Sequence, residues 1–227
     1  MKVISVHIVW DWNGTLLDDL DVVVESLNVG IASLGIAPID ADGYRDHFTR
    51  PVRAFYDSLF GRPVADMEWD FLDKVFHDEY ASRSHRAPLT MGAQEAVARI
   101  AGLGWSQSVL SMSVHDQLLE AVASRGIADR FTFIDGLTVP GGGLKRRHLE
   151  SHLASLDLDG GIVVLIGDTP DDSVAARRVG AEVILFDGGS HHLHTLKATG
   201  APVARTLDEA VDIAWGLAQA EESEVMA

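Results

Sequence analysis

The sequence predicts an α/β protein in which helices flank a parallel β-sheet and a helical unit is inserted after the first strand. Two observations lead to this prediction. Short β-rich runs that end in small or acidic residues alternate with helical stretches, which is typical of a parallel sheet. The first two runs are separated by residues 18–88, a stretch with apolar side chains at helical spacing that is too long for a simple crossover connection.

Five runs are predicted to form the strands of the sheet. In chain order they span residues 3–10, 105–110, 131–134, 162–166 and 183–186. The first run is apolar but short, and it lacks the basic flank and the small-residue cleavage site of a signal peptide, so we interpret it as a strand. Five parallel strands with helices between them predict a Rossmann-like, doubly wound core.

The long helical stretch, residues 18–88, is predicted to form a cap domain with its own small core. Two apolar faces at helical spacing support this prediction: Leu27, Ile31 and Leu34, and Trp69, Leu72, Val75, Phe76 and Tyr80. Hinges are expected at residues 17–20 and 87–88, because Pro88 disfavours a continuing helix. Residues 1–17 and 89–227 then form the α/β core domain.

The composition restricts the classes of partner. The 227 residues carry a formal net charge of −16, which opposes binding to nucleic acid or to anionic lipid. No segment approaches the apolar run of about 18 residues that a membrane span requires. The chain has no cysteine, so disulfides, thiolate nucleophiles and cysteine-based zinc sites are excluded. We expect a globular protein with a small-molecule partner, in the cytoplasm by default; its oligomeric state is left open.

Residues with catalytic chemistry follow the first predicted strand directly. The run DWNGTL occupies residues 11–16. A carboxylate at the end of a strand, here Asp11, is able to serve as nucleophile and metal ligand, and Gly14 allows the backbone to turn sharply beside it. Aspartate followed by Asn-Gly is also a common turn, so this motif alone has two interpretations.

Three further motifs follow later strands. Ser111 ends the second run, where helix capping is the alternative role for a serine and Ser113 also suits capping. Lys145 is one of only four lysines in the chain and precedes the helix that leads to the fourth run. Asp168 and Asp172 follow the fourth run in the sequence GDTPDD, and capping alone needs one such carboxylate rather than a cluster. The carboxyl edge of the sheet is where these side chains are expected to converge.

The four motifs, in this order along nearly the whole chain, resemble those of the haloacid dehalogenase superfamily, in particular its phosphoglycolate phosphatase branch. The resemblance implies that Asp11 attacks the phosphorus of a small phosphorylated metabolite and that water hydrolyses the resulting aspartyl-phosphate. It implies Mg²⁺ held by Asp11, Asp168, the backbone carbonyl of Asn13 and, through water or the lysine, Asp172.

The resemblance also implies how the phosphate is held. The Ser111 hydroxyl, the Lys145 ammonium and backbone amides just after Asp11, around Asn13 and Gly14, would contact its oxygens. In the cap, Arg50 is a candidate for gripping a second anionic group of the substrate, with helix-surface charge as an equally good account.

Asn13 departs from the family pattern, because family phosphatases carry a second aspartate there that protonates the leaving alkoxide and later activates water. An amide does not exchange a proton near neutral pH, and the loss of a general acid–base costs about 10² to 10⁴ in rate. We therefore expect slow turnover of alkyl phosphates, or a preference for acidic leaving groups. Asn13→Asp is expected to raise turnover of alkyl esters.

Three alternatives remain beside a phosphatase. The first is a non-catalytic regulatory protein that binds Mg²⁺ and phosphate without turnover. The second is a phosphonatase with Lys74, the only lysine of the predicted cap, as a Schiff base, although a solvated surface is the ordinary role for such a residue. The third is a metal-free dehalogenase, which would not need two late carboxylates. His191, His192 and His194 after the fifth run are expected to lie in a solvated loop.

Overall fold

The computed structural model describes residues 5–138, 145–156, 158 and 160–225. Six strands are present in these ranges: β1 (Val6–Trp10), β2 (Ser106–Val114), β3 (Phe133–Leu137), β4 (Ile162–Gly167), β5 (Glu182–Phe186) and β6 (Val203–Ala204). They form one sheet in the order β3-β2-β1-β4-β5-β6, and all neighbouring strands are parallel. The predicted α/β class with a parallel sheet is therefore confirmed.

Ten helices belong to the same described ranges. They are α1 (Leu20–Ser33), α2 (Ala41–His47), α3 (Val52–Phe60), α4 (Asp66–Arg83), α5 (Ala93–Gly102), α6 (His115–Ser124), α7 (Lys145–Ala154), α8 (Pro170–Val179), α9 (Leu193–Ala198) and α10 (Leu207–Val225). Short 3₁₀ turns occupy Ser84–Arg86 and Ala128–Arg130. None of these helices combines the length and the apolar character that crossing a bilayer requires.

Helices cover both faces of the sheet, as the alternation of side chains along each strand requires. Ile8 and Trp10 of β1 point to the core beneath α5, α6 and α10, whereas Val9 points to the core beneath α7, α8 and α9. Because both faces of β1 are buried, its sequence is continuously apolar apart from His7. The strand order reverses between β1 and β4, so the crevice for a ligand is expected beyond their carboxyl ends.

Helices α1 to α4 are inserted between β1 and α5 and share a separate apolar cluster that includes Leu27, Ile31 and Leu72. Helices α1 and α4 approach closely, since a Cβ atom on Gly30 would lie 3.2 Å from Leu72 Cδ2. Tyr80 differs from the prediction. Its ring packs against the main core beneath the sheet instead of joining the core of the inserted helices.

The two chain segments that lead into and out of the inserted helices run side by side. The amide of Asp18 donates to the carbonyl of Pro88 at 3.0 Å, and the amide of Thr90 donates to the carbonyl of Leu16 at 2.9 Å. The predicted hinges lie in these two segments. The backbone hydrogen bonds hold the entry and exit segments to each other.

The strands differ in extent from the predicted runs. β2 continues to Val114, with an irregular register to β3 after Leu110, so Ser111 and Ser113 lie inside the strand. The expectation that Ser113 caps a helix was wrong, because α6 begins at His115 without a side-chain cap. β6, two residues long, was not predicted. Residues 3–4 of the first predicted run lie outside the described residues.

A chain of buried polar groups crosses the sheet away from its carboxyl edge. His152 Nδ1 lies 3.2 Å from Asp135 Oδ2, so this nitrogen carries the proton and donates. His152 Nε2 then accepts from Ser108 at 2.7 Å, Ser108 accepts from His7 Nε2 at 2.8 Å, and His7 Nδ1 accepts from Ser106 at 2.7 Å. Neutral imidazoles satisfy every link, and burial lowers the pKa of His7 to about 4.

Candidate active site

Three carboxylates meet at the carboxyl edge of the sheet. Asp11 follows β1 and its amide donates to Ile166 of β4 at 2.8 Å. Asp168 follows β4, and Asp172 lies in the first turn of α8. One oxygen from each carboxylate lies within 4.8 Å of the other two, and all three residues are buried. We refer to Asp11, Asp168 and Asp172 as the acidic cluster.

Lys145 supplies positive charge to the acidic cluster. It is the first residue of α7 and is only 4% exposed. Its Nζ lies 2.8 Å from Asp11 Oδ1 and also forms an ion pair with Asp172 Oδ1. Three ionised carboxylates and one ammonium carry a net charge of −2. The structure thus brings together four of the side chains that the sequence singled out.

The pKa values of the acidic cluster reflect this excess of negative charge. Burial, together with Asp172 and Asp168, raises the pKa of Asp11 to about 8 against the opposing charge of Lys145. Burial and Asp172 raise the pKa of Asp168 to about 6. Burial also disfavours the charge on Asp172, but the Lys145 ammonium holds the pKa of that carboxyl below its ordinary value. Further positive charge would allow all three to ionise at neutral pH.

The oxygen atoms of the site fit a small divalent cation. Asp168 Oδ1 is buried and accepts no hydrogen bond from the described residues. Nor does the backbone carbonyl of Asn13 accept one from them. Mg²⁺ prefers oxygen ligands at about 2.0–2.1 Å, so oxygens spread over 4.8 Å need only a small contraction to share one ion. The donor set therefore suits Mg²⁺.

The local sequence after β4 fixes Asp172. Thr169 is the N-cap of α8, and Pro170 occupies the first turn, where its missing N–H costs nothing. Thr169 donates to Asp172 Oδ2 from its amide at 2.9 Å and from its hydroxyl at 2.7 Å. Asp172 thus has both roles that the sequence left open, since one oxygen completes a helix cap and the other pairs with Lys145.

Asp168 is held from a loop that the sequence analysis did not select. The amide and the hydroxyl of Ser190 donate to Asp168 Oδ2 at 2.7 and 2.6 Å. Gly14 and Gly189 also crowd this carboxylate. Gly14 has φ +71°, and a Cβ atom on it would lie 2.5 Å from Asp168 Oδ2. Glycine at position 14 is required both by the backbone and by this close approach.

Asn13 makes hydrogen bonds with four side chains. Its Nδ2 donates to Asp19 Oδ2 at 2.7 Å and to the Tyr80 hydroxyl at 2.7 Å. Its Oδ1 accepts from Ser113 at 2.6 Å and from Ser111 at 3.2 Å. We refer to these five residues as the Asn13 cluster. The two donors and two acceptor positions of the amide are all used.

Asp19 and Tyr80 bind each other as well as Asn13. The Tyr80 hydroxyl donates to Asp19 Oδ2 at 2.6 Å, and the amide of Gly14 donates to Asp19 Oδ1 at 2.9 Å. Burial raises the pKa of Asp19. Sequence reasoning missed both residues, because Asp19 precedes a helix and resembles a cap, whereas Tyr80 follows the apolar spacing of α4.

The backbone amides after the nucleophile differ in availability. The amide of Gly14 already donates to Leu17 and to Asp19. By contrast, the amides of Trp12 and Asn13 donate to no acceptor among the described residues. These two amides directly follow Asp11 in the chain and are left as donors for a ligand.

The remaining predicted residues lie outside the acidic cluster. Lys74 is exposed and pairs with Asp78 on the surface of α4, as expected for a solvated lysine. Arg50 is exposed and forms no ion pair among the described residues. The expectation that the histidines after β5 are solvated was wrong for His191, which is 8% exposed and packs against Phe48 at 5.3 Å between ring centroids.

Residues 8–186 match the family model of the haloacid dehalogenase-like hydrolases. The chain belongs to this family. It is 26% identical over 195 residues to a phosphoglycolate phosphatase of Mesorhizobium japonicum, covering 82% of this chain and 85% of the relative. It is 27% identical over 191 residues to a phosphoglycolate phosphatase of Caulobacter vibrioides, covering 80% and 79%. The predicted family is thus confirmed, and the protein is a hydrolase of the same family as these two phosphatases.

The fold matches solved structures of the same family. A predicted phosphatase from Clostridium acetobutylicum superimposes with a TM-score of 0.80 at 16% identity, covering 91% of this chain and 96% of that one. At this identity the likeness concerns the fold alone. It confirms the haloacid dehalogenase-like architecture of the parallel sheet and its helices.

Proposed function

We propose that this hydrolase cleaves small phosphate monoesters in the presence of Mg²⁺, through a phosphorylated Asp11. The observation that carries the proposal is the convergence of Asp11, Asp168, Asp172 and Lys145 in one buried site. The names of the two curated relatives make phosphoglycolate the first metabolite to test.

In the proposed reaction a carboxylate oxygen of Asp11 attacks phosphorus and the bond from phosphorus to the ester oxygen breaks. Water then attacks the phosphorus of the aspartyl-phosphate, which releases inorganic phosphate and regenerates the carboxylate. Lys145 balances negative charge beside Asp11, and Ser111 with the amides of Trp12 and Asn13 donates to the phosphoryl oxygens. Mg²⁺ bound by the acidic cluster and the Asn13 carbonyl would neutralise phosphoryl charge.

Asn13 does not assist the departure of the leaving group in this reaction. Asn13 has no proton to give, and all its hydrogen-bonding positions are used in the Asn13 cluster. Substrates whose leaving group is already acidic need no protonation, so we propose that aryl and acyl phosphates react faster than alkyl phosphates.

A direct test is a screen of phosphorylated metabolites, including phosphoglycolate, with and without Mg²⁺. Turnover that requires Mg²⁺ and disappears in Asp11→Asn supports the proposal. Turnover that persists in Asp11→Asn, or in the presence of a chelator, would contradict it.

Leaving-group dependence is tested with a series of substituted phenyl phosphates. We expect kcat/KM, which reports phosphoryl transfer to Asp11, to fall steadily as the pKa of the released phenol rises, because no side chain protonates the oxygen. A flat relation of kcat/KM would contradict the absence of an acid. The single variant Asn13→Asp places a carboxylate 2.7 Å from Asp19 Oδ2, so restoration of an acid should be tested in Asn13→Asp combined with Asp19→Asn.

The missing acid also favours a second candidate, a regulatory protein that binds Mg²⁺ and phosphate without turnover. Calorimetry separates the two. Binding of Mg²⁺ and inorganic phosphate by a protein that hydrolyses no ester in the screen would select the second candidate.

We propose that residues 18–88 act as a cap over residues 1–17 and 89–227, and that Arg50 reads an anionic group of the substrate from this cap. The separate apolar cluster of α1 to α4 and the paired entry and exit segments support the division. The variant Arg50→Gln is expected to raise KM for substrates with a second negative charge and to leave KM for phenyl phosphate unchanged.

A further inference from the structure

The Asn13 cluster joins three parts of the chain that are distant in sequence. Asn13 and Asp19 follow β1, Ser111 and Ser113 belong to β2, and Tyr80 belongs to α4 of the inserted helices. We propose that Asp19 and Tyr80 are positioning residues that act through Asn13, so that helix α4 controls the geometry of the phosphate site. The effect on the reaction rests on the proposed phosphatase function.

The orientation of the Asn13 amide is determined by its neighbours. Asp19 presents a carboxylate oxygen, which accepts only, so Nδ2 must face it. The reversed orientation would set Oδ1 against that carboxylate and Nδ2 against the Ser111 and Ser113 hydroxyls. Asp19 therefore directs Oδ1 of Asn13 toward β2.

The orientation of the Asn13 amide in turn affects the hydroxyl of Ser111. Its hydroxyl donates to Asn13 Oδ1 at 3.2 Å, a longer contact than the 2.6 Å of Ser113, and Ser111 is 1% exposed. The hydroxyl of a serine rotates freely, so the position of Asn13 decides where the proton of Ser111 points. The single proton of this hydroxyl goes either to Asn13 Oδ1 or to a phosphoryl oxygen, so in the proposed reaction the position of Asn13 sets how readily Ser111 donates to the phosphate.

Tyr80 connects this arrangement to helix α4. Its hydroxyl accepts from Asn13 at 2.7 Å and donates to Asp19 at 2.6 Å, so it binds both of the groups that set the orientation, which are also bonded directly to each other. Its ring stacks on Phe76 of the same helix with centroids 5.8 Å apart. A displacement of α4 would remove the hydroxyl and leave Asn13 Nδ2 with one partner. A movement of α4 would therefore change the hydrogen bonds of Asn13, which lies two residues after Asp11.

The test compares Tyr80→Phe with Tyr56→Phe. Tyr56 is the matched control, because it is a buried tyrosine of the inserted helices whose hydroxyl forms no hydrogen bond with the described residues. For phenyl phosphate with Mg²⁺, Tyr80→Phe is expected to lower kcat about 5- to 10-fold, the factor of one hydrogen bond, with KM little changed. Tyr56→Phe is expected to leave kcat within about 2-fold of the wild type.

A double-mutant cycle identifies the route of the effect. If Tyr80 acts through Asn13, then Tyr80→Phe has less than about a 2-fold effect in the Asn13→Ala background. Asn13→Ser replaces Asn13→Ala if the latter does not fold. An equal factor in both backgrounds, or equal effects of Tyr80→Phe and Tyr56→Phe, would overturn the proposal.

Hydrogen exchange gives a second measurement that does not need turnover. Tyr80→Phe is expected to speed amide exchange about 5-fold in residues 13–19, with no such change in Tyr56→Phe or when Tyr80→Phe is added to Asn13→Ala. A wild-type protein without phosphatase activity would refute the proposed function alone. Unchanged exchange in Tyr80→Phe would refute the positioning role alone.

Discussion

Replacing Gly14 with alanine is expected to damage the acidic cluster beyond the cost to the backbone. Gly14 has φ +71°, a region where alanine costs about 1–2 kcal/mol. In addition, its Cβ atom would lie 2.5 Å from Asp168 Oδ2, whereas ordinary contacts begin near 3.4 Å, so the carboxylate must move by about 1 Å. Such overpacking adds about 1–3 kcal/mol, which gives a loss of about 2–5 kcal/mol in unfolding free energy.

Gly61→Ala is the matched control for this prediction. Gly61 has φ +65° and ends α3, and a Cβ atom on it would meet nothing within 4 Å. Gly61→Ala should therefore lower the unfolding free energy only by the backbone contribution, about 1–2 kcal/mol. Urea unfolding without Mg²⁺ measures both values.

A second measurement follows the rise of the melting temperature with Mg²⁺. Because Asp168 is displaced, the concentration of Mg²⁺ that stabilises Gly14→Ala is expected to be about 10-fold higher than for the wild type, or more. Gly61→Ala should respond like the wild type. Equal unfolding free energies and equal Mg²⁺ responses in the two variants would refute the close approach of Gly14 to Asp168.

Two further predictions concern buried charge. Lys145→Met leaves the carboxylates of the acidic cluster without their ammonium. We expect the unfolding free energy, measured in urea without Mg²⁺, to fall by about 3–5 kcal/mol and turnover to disappear. A fall of less than about 1 kcal/mol would contradict the burial of this ion pair. His7 has a folded pKa of about 4, below its unfolded value of 6.5, so its stabilising effect is complete above pH 6.5 and is lost as pH falls toward 4. Unfolding free energy at pH 5 should be about 2 kcal/mol lower than at pH 7 from this residue. His7→Asn should reduce that difference and His85→Asn, at an exposed position, should not.

Much of the fold follows from local patterns in the sequence. The apolar runs of β1 and β4 are buried on both faces, so their strands were recognisable without knowledge of their neighbours. In a doubly wound sheet the residues after such strands share one edge, which is why Asp11 and Asp168 were predicted to meet. The aspartates after Asp168 also indicated a helix cap at the start of α8, although the residue at the N-cap position is Thr169.

Other features depend on contacts between distant residues and were not predictable in this way. The polar sequence of β2 gave no sign that Ser108 is buried, because its partners His7 and His152 come from other elements. Tyr80 follows the helical spacing of α4, and only the packing of that helix decides that its hydroxyl reaches Asn13. Single-sequence patterns identify the faces of helices, but they do not identify the neighbour of each face.

The backbone pairing of Asp18 with Pro88 and of Leu16 with Thr90 has a consequence for how this architecture accepts change. The chain leaves the sheet and returns to it at one point, so the distance that an insert must span is constant whatever its size. A segment of another length or shape is able to join the same two points. Replacing residues 19–87 with a short turn would also remove Asp19 and Tyr80, so Asn13 would keep only its two serine partners in such a protein.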